Sequence, residues 1–226
     1  MNSTFTRLAA AAVLATAAAS AQAVTVLADD FDSENGGTSA LNYTGFANWT
    51  VQGAVDLVQD GDFGLAGDGA FVDLDGSPGP GRMTTTQSYA FAAGDVVRFS
   101  ASIGGSQRGD WNDFGLGFSF SGPVTVAWYE LGGGFGDQRL FEGITTFGFT
   151  SSTSVPSSDP FQTWSIAFKA LTAGSFTASV DTSSADNFGA LFDDARITVA
   201  VPEPGTWAML AAGLALVAGA AKRRRG

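Results

Sequence analysis

Five stretches of the chain alternate between apolar side chains and polar or small ones. Val97, Phe99, Ala101 and Ile103 face one way while Arg98, Ser100 and Ser102 face the other. Phe114, Leu116, Phe118 and Phe120 alternate with Asp113, Gly115, Gly117 and Ser119. Trp164, Ile166 and Phe168 alternate with Ser165, Ala167 and Lys169, and Phe176, Ala178 and Val180 with Thr177 and Ser179. Ala195, Ile197 and Val199 alternate with Arg196 and Thr198. A period of two belongs to a strand with one dry and one wet face, so each stretch predicts a half-buried β-strand. Beyond the N-terminal segment no long stretch repeats at helical period.

Turn signals separate these strands. They include Asp60-Gly61, Asp68-Gly69, Asp75-Gly76-Ser77-Pro78-Gly79-Pro80-Gly81, Gly104-Gly105, Ser121-Gly122-Pro123, Gly132-Gly133-Gly134 and Ala173-Gly174. Many short strands between Gly and Pro turns predict an all-β, antiparallel, jelly-roll-like sandwich. An immunoglobulin-like sandwich is the second choice; the Cys–Trp–Cys signature of true immunoglobulin domains is absent, which alone does not decide between the two. Thr150–Ser158 is rich in Ser and Thr and reads as one long loop. Trp49 lies beside a predicted strand and reads as core. No internal repeat or linker divides residues 24–200, which read as one domain.

The chain has no Cys and no His. Stability must therefore come from packing or a bound metal rather than disulfides. Catalysis by Ser-His-Asp or Cys-His, and the usual zinc sites, are excluded. The formal charge of −11 understates the acidity of the middle. Five of the eleven cations are Arg7 and Lys222–Arg225, which leaves six cations against 21 acids between the two ends, a balance of −15. Such a surface has no basic face for phosphates, so nucleic acid is not an expected partner. Calcium and neutral sugars are compatible with it.

The two ends read as processing signals. Residues 1–23 have a cationic Arg7, an apolar stretch from Leu8 to Ala19 and an Ala21-Gln22-Ala23 cleavage site, the pattern of a signal peptide cut by signal peptidase. At the other end, residues 201–226 carry Pro202-Glu203-Pro204, an uncharged apolar run from Trp207 to Ala221, and Lys222 followed by Arg223, Arg224 and Arg225. As a helix the run is roughly 22 Å long, and snorkelling arginines extend its reach toward the roughly 30 Å needed to cross a membrane. Terminal cations hold that end on the cytoplasmic side. The order and position of these three parts resemble the PEP-CTERM sorting signal of Gram-negative bacteria. The resemblance implies cleavage by an exosortase, a transient inner-membrane anchor, and delivery to the cell surface or extracellular matrix, often alongside exopolysaccharide.

A second resemblance runs through the middle. Leu41-Asn42-Tyr43, Asn48-Trp49-Thr50-Val51, Gly69 to Ser77, Phe91 to Ser100 and Gly189 to Ile197 follow one another as in galactose-binding-like jelly rolls of bacterial surface and plant cell-wall proteins. It implies a carbohydrate-binding or adhesive module rather than an enzyme. It also implies a structural calcium near the termini. The residues point to the same end: Asp29, Asp30, Asp32 and Glu34 open the domain and Asp193 and Asp194 close it. If the first and last strands pair, Asp30, Asp32, Asp193 and Asp194 supply the hard oxygens that Ca²⁺ takes. A solvated acidic rim is the competing reading. Asp60-Gly61-Asp62 and Asp73-Leu74-Asp75 read as plain turns.

For a ligand, the candidates are Trp111 in the polar loop Arg108-Gly109-Asp110-Trp111-Asn112-Asp113, as a platform for a sugar ring, with Arg108 and Asn112 as hydrogen-bond partners for its hydroxyls. Tyr129 is the second platform; it lies beside Trp128, and one of the two should face outward. No catalytic residue is assigned. The alternatives are a carboxylate-dependent glycan hydrolase, for which Glu130 and Glu142 are the pair to test, and a purely structural, calcium-stabilised surface protein.

Overall fold

A computed structural model describes residues 23–184 and 186–200. The signal-peptide and sorting-segment readings, with Ala21, Pro202, Glu203, Pro204 and Arg223–Arg225, lie outside the described residues. Within them the strands all pair antiparallel, and two single-turn 3-10 helices, Glu34–Gly36 and Asp62–Gly64, are the helical elements among the described residues. The strands are β1 (Ala23–Asp29), β2 (Trp49–Gln52), β3 (Asp56–Gln59), β4 (Ala70–Asp73), β5 (Arg82–Thr85), β6 (Tyr89–Phe91), β7 (Val96–Gly104), β8 (Trp111–Gly133), β9 (Gln138–Pro156), β10 (Gln162–Ala170), β11 (Gly174–Asp181) and β12 (Leu191–Ala200). They join in the order β2-β5-β11-β8-β10-β7-β12-β4-β3, with β1 on β12, β6 on β11 and β9 on β8.

One strand explains how a single sheet makes two layers. β8 is 23 residues long. Its first part pairs with β11 from Gly115 to Phe120, and its last part pairs with β10 from Val126 to Gly133. Between them the β8–β9 register shifts between Ser119 and Val124. Ser121-Gly122-Pro123, read from sequence as a turn, is a bend inside this strand. Irregularities of this kind increase twist and turn a sheet's corner. The sheet curls there and lays β11, β5 and β2 over β10, β7 and β12, giving the jelly-roll-like sandwich that the alternation predicts.

The core lies between these layers. The ring of Phe118 on β8 stands edge-on to Phe168 on β10 at 5.0 Å and to Phe99 on β7 at 6.5 Å. Trp49 on β2 meets Phe192 on β12 edge-on at 5.5 Å. The apolar members of all five alternating stretches are buried, and so is Trp49.

Thr150–Ser158 departs from expectation. Most of it belongs to β9, an edge strand, not to a loop. Its hydroxylated side chains alternate with only two buried apolar ones, Phe149 and Val155. An edge strand beside a bend needs few apolar side chains, so the period-two signal is faint while β-branched Thr still suits the pleat.

Candidate functional site

The site is built on the first part of β8. From Trp111 to Ser119 its register with β9 is unbroken, from Trp111 opposite Pro156 to Ser119 opposite Gly148. Asn112, Phe114, Leu116 and Phe118 therefore point inward, and Trp111, Asp113, Gly115, Gly117 and Ser119 outward. Trp111 is 66% exposed. Next to it on the same face, Asp113 accepts hydrogen bonds from Ser154 Oγ and, at 3.0 Å, from Ser183 Oγ. Asp113, Gly115, Ser152, Ser154, Asp181, Thr182 and Ser183 line an open cleft of about 380 Å³.

Glycine at 115 sets the floor of this cleft, and glycine at 117 continues the same outer face of β8. A Cβ at Gly115 would stand 2.6 Å from Asp181 Oδ1, and one at Gly117 2.9 Å from Thr150 Oγ1 and 3.1 Å from Ser179 Oγ. Without those Cβ atoms, oxygens from β9 and β11 lean over β8 and form a polar bed. Arg82 on β5 extends it, paired with Asp181 at 3.2 Å and donating to Ser179 Oγ at 2.9 Å. Burial pushes the Asp181 carboxyl up, and Arg82 opposes that shift. An exposed indole beside a shallow bed of hydroxyls, carboxylates and a guanidinium has an apolar plane and polar edges, as a sugar ring does.

The other ligand candidates are placed differently. Asn112 is buried; its Oδ1 accepts from Ser106 N at 2.8 Å, and its Nδ2 donates to Phe188 O at 2.7 Å. Its amide is a peg between two loops and does not face a ligand. Arg108 lies over the Phe188 ring and pairs with Asp73 at 3.4 Å. Its charge is used to compensate a buried carboxylate. Tyr129 is 1% exposed, stacked on Phe149, and its hydroxyl is hydrogen-bonded with Ser151 Oγ. Burial lifts that phenol to about 12. Trp128 is the neighbour that faces out, with Arg139 over its ring at 4.8 Å. Val124 and Val126 are buried in step with Phe120, and the alternation flips at the bulge against β10 between Val126 and Trp128, which turns Tyr129 inward and Trp128 outward.

Glu130 is bound to Arg98 at 3.2 Å and to Arg139 at 3.4 Å, and Arg139 reaches Glu142 at 3.8 Å. The two glutamates share Arg139 as a cation; Glu130 lines an open cleft of about 410 Å³ with Arg98, Asp137 and Ser165, and Glu142 is not among its lining residues.

The acidic ends do approach one another. β1 pairs with β12, with Asp29 opposite Ala195. Asp193 is buried, and its carboxyl is pushed up to about 7, first by loss of water and then by the charges of Asp194, Asp32 and Asp30; the Asp194 N–H opposes the shift. Several of these oxygens already hold the fold: Asp32 Oδ1 accepts from Ala70 N at 2.7 Å, and Asp194 Oδ2 from Ser102 Oγ at 3.2 Å. Among the described residues no three acids gather as a ready-made metal cage. The charges converge, but the coordination geometry is not assembled.

Asp73 and Asp75, read as members of a plain turn, are buried carboxylates. Asp73 Oδ1 accepts the amides of Asp75 and Gly189, and Asp75 Oδ2 those of Asp186 and Asn187. They tie the 73–76 turn to the loop before β12. Burial pushes Asp73 up to about 7 against the pull of these amides and of Arg108.

Comparison with known proteins adds the following. Residues 200–225 match the PEP-CTERM protein-sorting motif. The chain is thus that of an exported protein that passes through a membrane. No curated protein sequence matches the chain. Among solved structures, the chain is similar to the CBM22-1–GH10 modules of a Clostridium thermocellum endo-1,4-beta-D-xylanase complexed with xylohexaose, at 19% identity and a TM-score of 0.42, over 77% of this chain and 28% of that one. It is similar to the CBM22-1 xylan-binding domain of Paenibacillus barcinonensis Xyn10C, at 13% identity and a TM-score of 0.39, over 81% and 99% of the two chains. It is also similar to a cyclase from Fischerella sp., at 14% identity and a TM-score of 0.47, over 78% and 96%.

Proposed function

We propose that the domain is a non-catalytic, polysaccharide-binding module of a surface or matrix protein, and that the outer face of β8 is where it holds the glycan. The observation that carries this is Trp111, a large indole left 66% exposed two residues before Asp113 on the same outer face of β8, where Asp113, Gly115 and Asp181 line the cleft. A sugar ring stacks on the indole while its hydroxyls exchange hydrogen bonds with Asp113, Ser152 and Asp181. The domain's acidity favours neutral glycans over anionic ones. Retention of the domain on a panel of insoluble and gel-embedded polysaccharides tests this. Trp111→Ala should weaken retention on the order of tenfold, about 1.4 kcal/mol, without changing the melting temperature. Equal retention of the two forms on every polysaccharide that holds either would remove Trp111 from the site.

The sorting segment completes the proposal. An exosortase cuts near Pro202-Glu203-Pro204 after export and frees the domain from its membrane anchor. Deletion of Pro202–Pro204 should leave a larger, membrane-bound form on a gel. A processed size unchanged by the deletion would overturn the assignment of the cut. At the opposite end of the domain's function, calcium enters as a stabiliser. A divalent cation among Asp30, Asp32, Asp193 and Asp194 would offset the repulsion that lifts Asp193. What supports it is that shared repulsion, and melts with and without calcium test it.

A further inference from the structure

Among the described residues, β9 pairs only with β8, so one edge of a 19-residue strand is open. The ends of the sheet path, β2 and β3, are only four residues each. Open edges are templates for another strand, and proteins usually blunt them with charge, proline or shortness. β9 has none of these over most of its length. From Gly143 to Ser158 there is no charged residue, in a domain whose balance is −15. From Gly148 to Pro156 the strand also follows β8 without a bulge, which leaves an unbroken edge nine residues long. The outward side chains there, Thr150, Ser152 and Ser154, are small and hydroxylated.

We infer that this edge pairs with the same edge of a second copy of the chain, antiparallel about a two-fold axis. The charge pattern selects that occupant. Two copies repel wherever their acids meet, and this uncharged edge is where their backbones can approach without like charges facing. Self-pairing sets hydroxyl against hydroxyl, which neither crowds nor repels. The axis of such a pair is perpendicular to the sheet, so the outer faces of both copies lie on the same side of one continuous sheet.

The absence of native cysteine makes the test direct. In the full chain, exported by cells, single cysteines are placed in turn at Thr150, Ser152 and Ser154, and at Gln87 on an exposed turn away from β9. Ser→Cys and Thr→Cys at open edge positions change volume little, so the fold is kept. After mild oxidation, a disulfide-linked species of twice the chain mass should form on β9 and be strongest at one position. In a two-fold pair only residues near the axis meet themselves. Adding Thr150→Lys to whichever of Ser152→Cys or Ser154→Cys links best should lower the yield by at least about tenfold. A yield no higher on β9 than at Gln87→Cys would overturn the pairing. So would β9 cross-links to a protein of another mass, which would assign the edge to a different partner.

Discussion

Phe118→Ala should destabilise the domain by about 3–5 kcal/mol, a large share of the roughly 5–15 kcal/mol typical of a folded domain. Phe118 is 2% exposed and joins both layers of the sandwich. Its ring stands edge-on to Phe168 at 5.0 Å, Phe176 at 5.3 Å and Phe99 at 6.5 Å. Phe91 and Phe120 extend the same group through Phe168. Without a disulfide, no covalent cross-link is added to the backbone that runs between the layers, and a cavity at this point loosens all of these contacts together. The check is the denaturant midpoint of the variant against that of Phe147→Ala. Phe147 is 68% exposed, and its loss should move stability by less than about 0.5 kcal/mol. Equal midpoints for the two variants would mean that the layers are not joined where the ring contacts place them.

Stability should fall as the pH rises from about 4 to about 7, and Asp193 should carry much of the change. Its carboxyl lies at about 7 in the fold, against 3.8 in an unconstrained chain. Below pH 4 it is protonated in both states and costs nothing. Between the two values the unfolded chain loses the proton while the native state keeps it, so raising the pH favours unfolding. Above pH 7 both states are ionised, and the full penalty, on the order of 4 kcal/mol, remains. Asp73 adds a change of the same sign, since it too is lifted to about 7. Asp193→Asn should therefore raise the melting temperature at pH 7.5, leave it nearly unchanged at pH 4.5, and flatten the curve between. Millimolar Ca²⁺ should raise the melting temperature of the native chain at pH 7.5, and chelation should lower it, with a smaller effect in Asp193→Asn. An Asp193→Asn curve parallel to that of the native chain would contradict the burial argument. A melt indifferent to calcium would remove the ion.

The strands legible in the sequence are those with one dry and one wet face. Val97 to Ile103, Phe114 to Phe120 and Ala195 to Val199 are all of this kind, because burial between two layers enforces alternation there. Where that constraint lapses, so does legibility. The second half of β9 is an edge whose hydroxyls satisfy either side, and it resembles a loop. Ser121-Gly122-Pro123 has turn chemistry but bends a continuous strand, which only the pairing of β8 with both β11 and β10 reveals.

The site was legible in part for the same reason. Trp111 stands out because it follows a polar loop and alternates with the core positions of β8. Asp113, Gly115 and Gly117 were visible only as the wet side of a strand. Their role depends on Asp181 and Ser179, more than sixty residues later in the chain, and on Arg82, about thirty residues earlier, all from other strands. Arg108 and Asn112 look like free hydrogen-bonding groups in sequence. Their partners, Asp73 and Phe188, are long-range and leave no local mark.

The most direct measurement is a map of backbone amide NMR shifts of the 24–200 domain, titrated with oligosaccharides from a polysaccharide that retains it. The changes should centre on Trp111, Asp113, Gly115 and Gly117 of β8 and on Ser152, Asp181 and Arg82 beside them. Changes centred instead on the acidic end around Asp30 and Asp194, or on the Glu130–Arg139 side of the sheet, would contradict the assignment of the outer face of β8 as the glycan site.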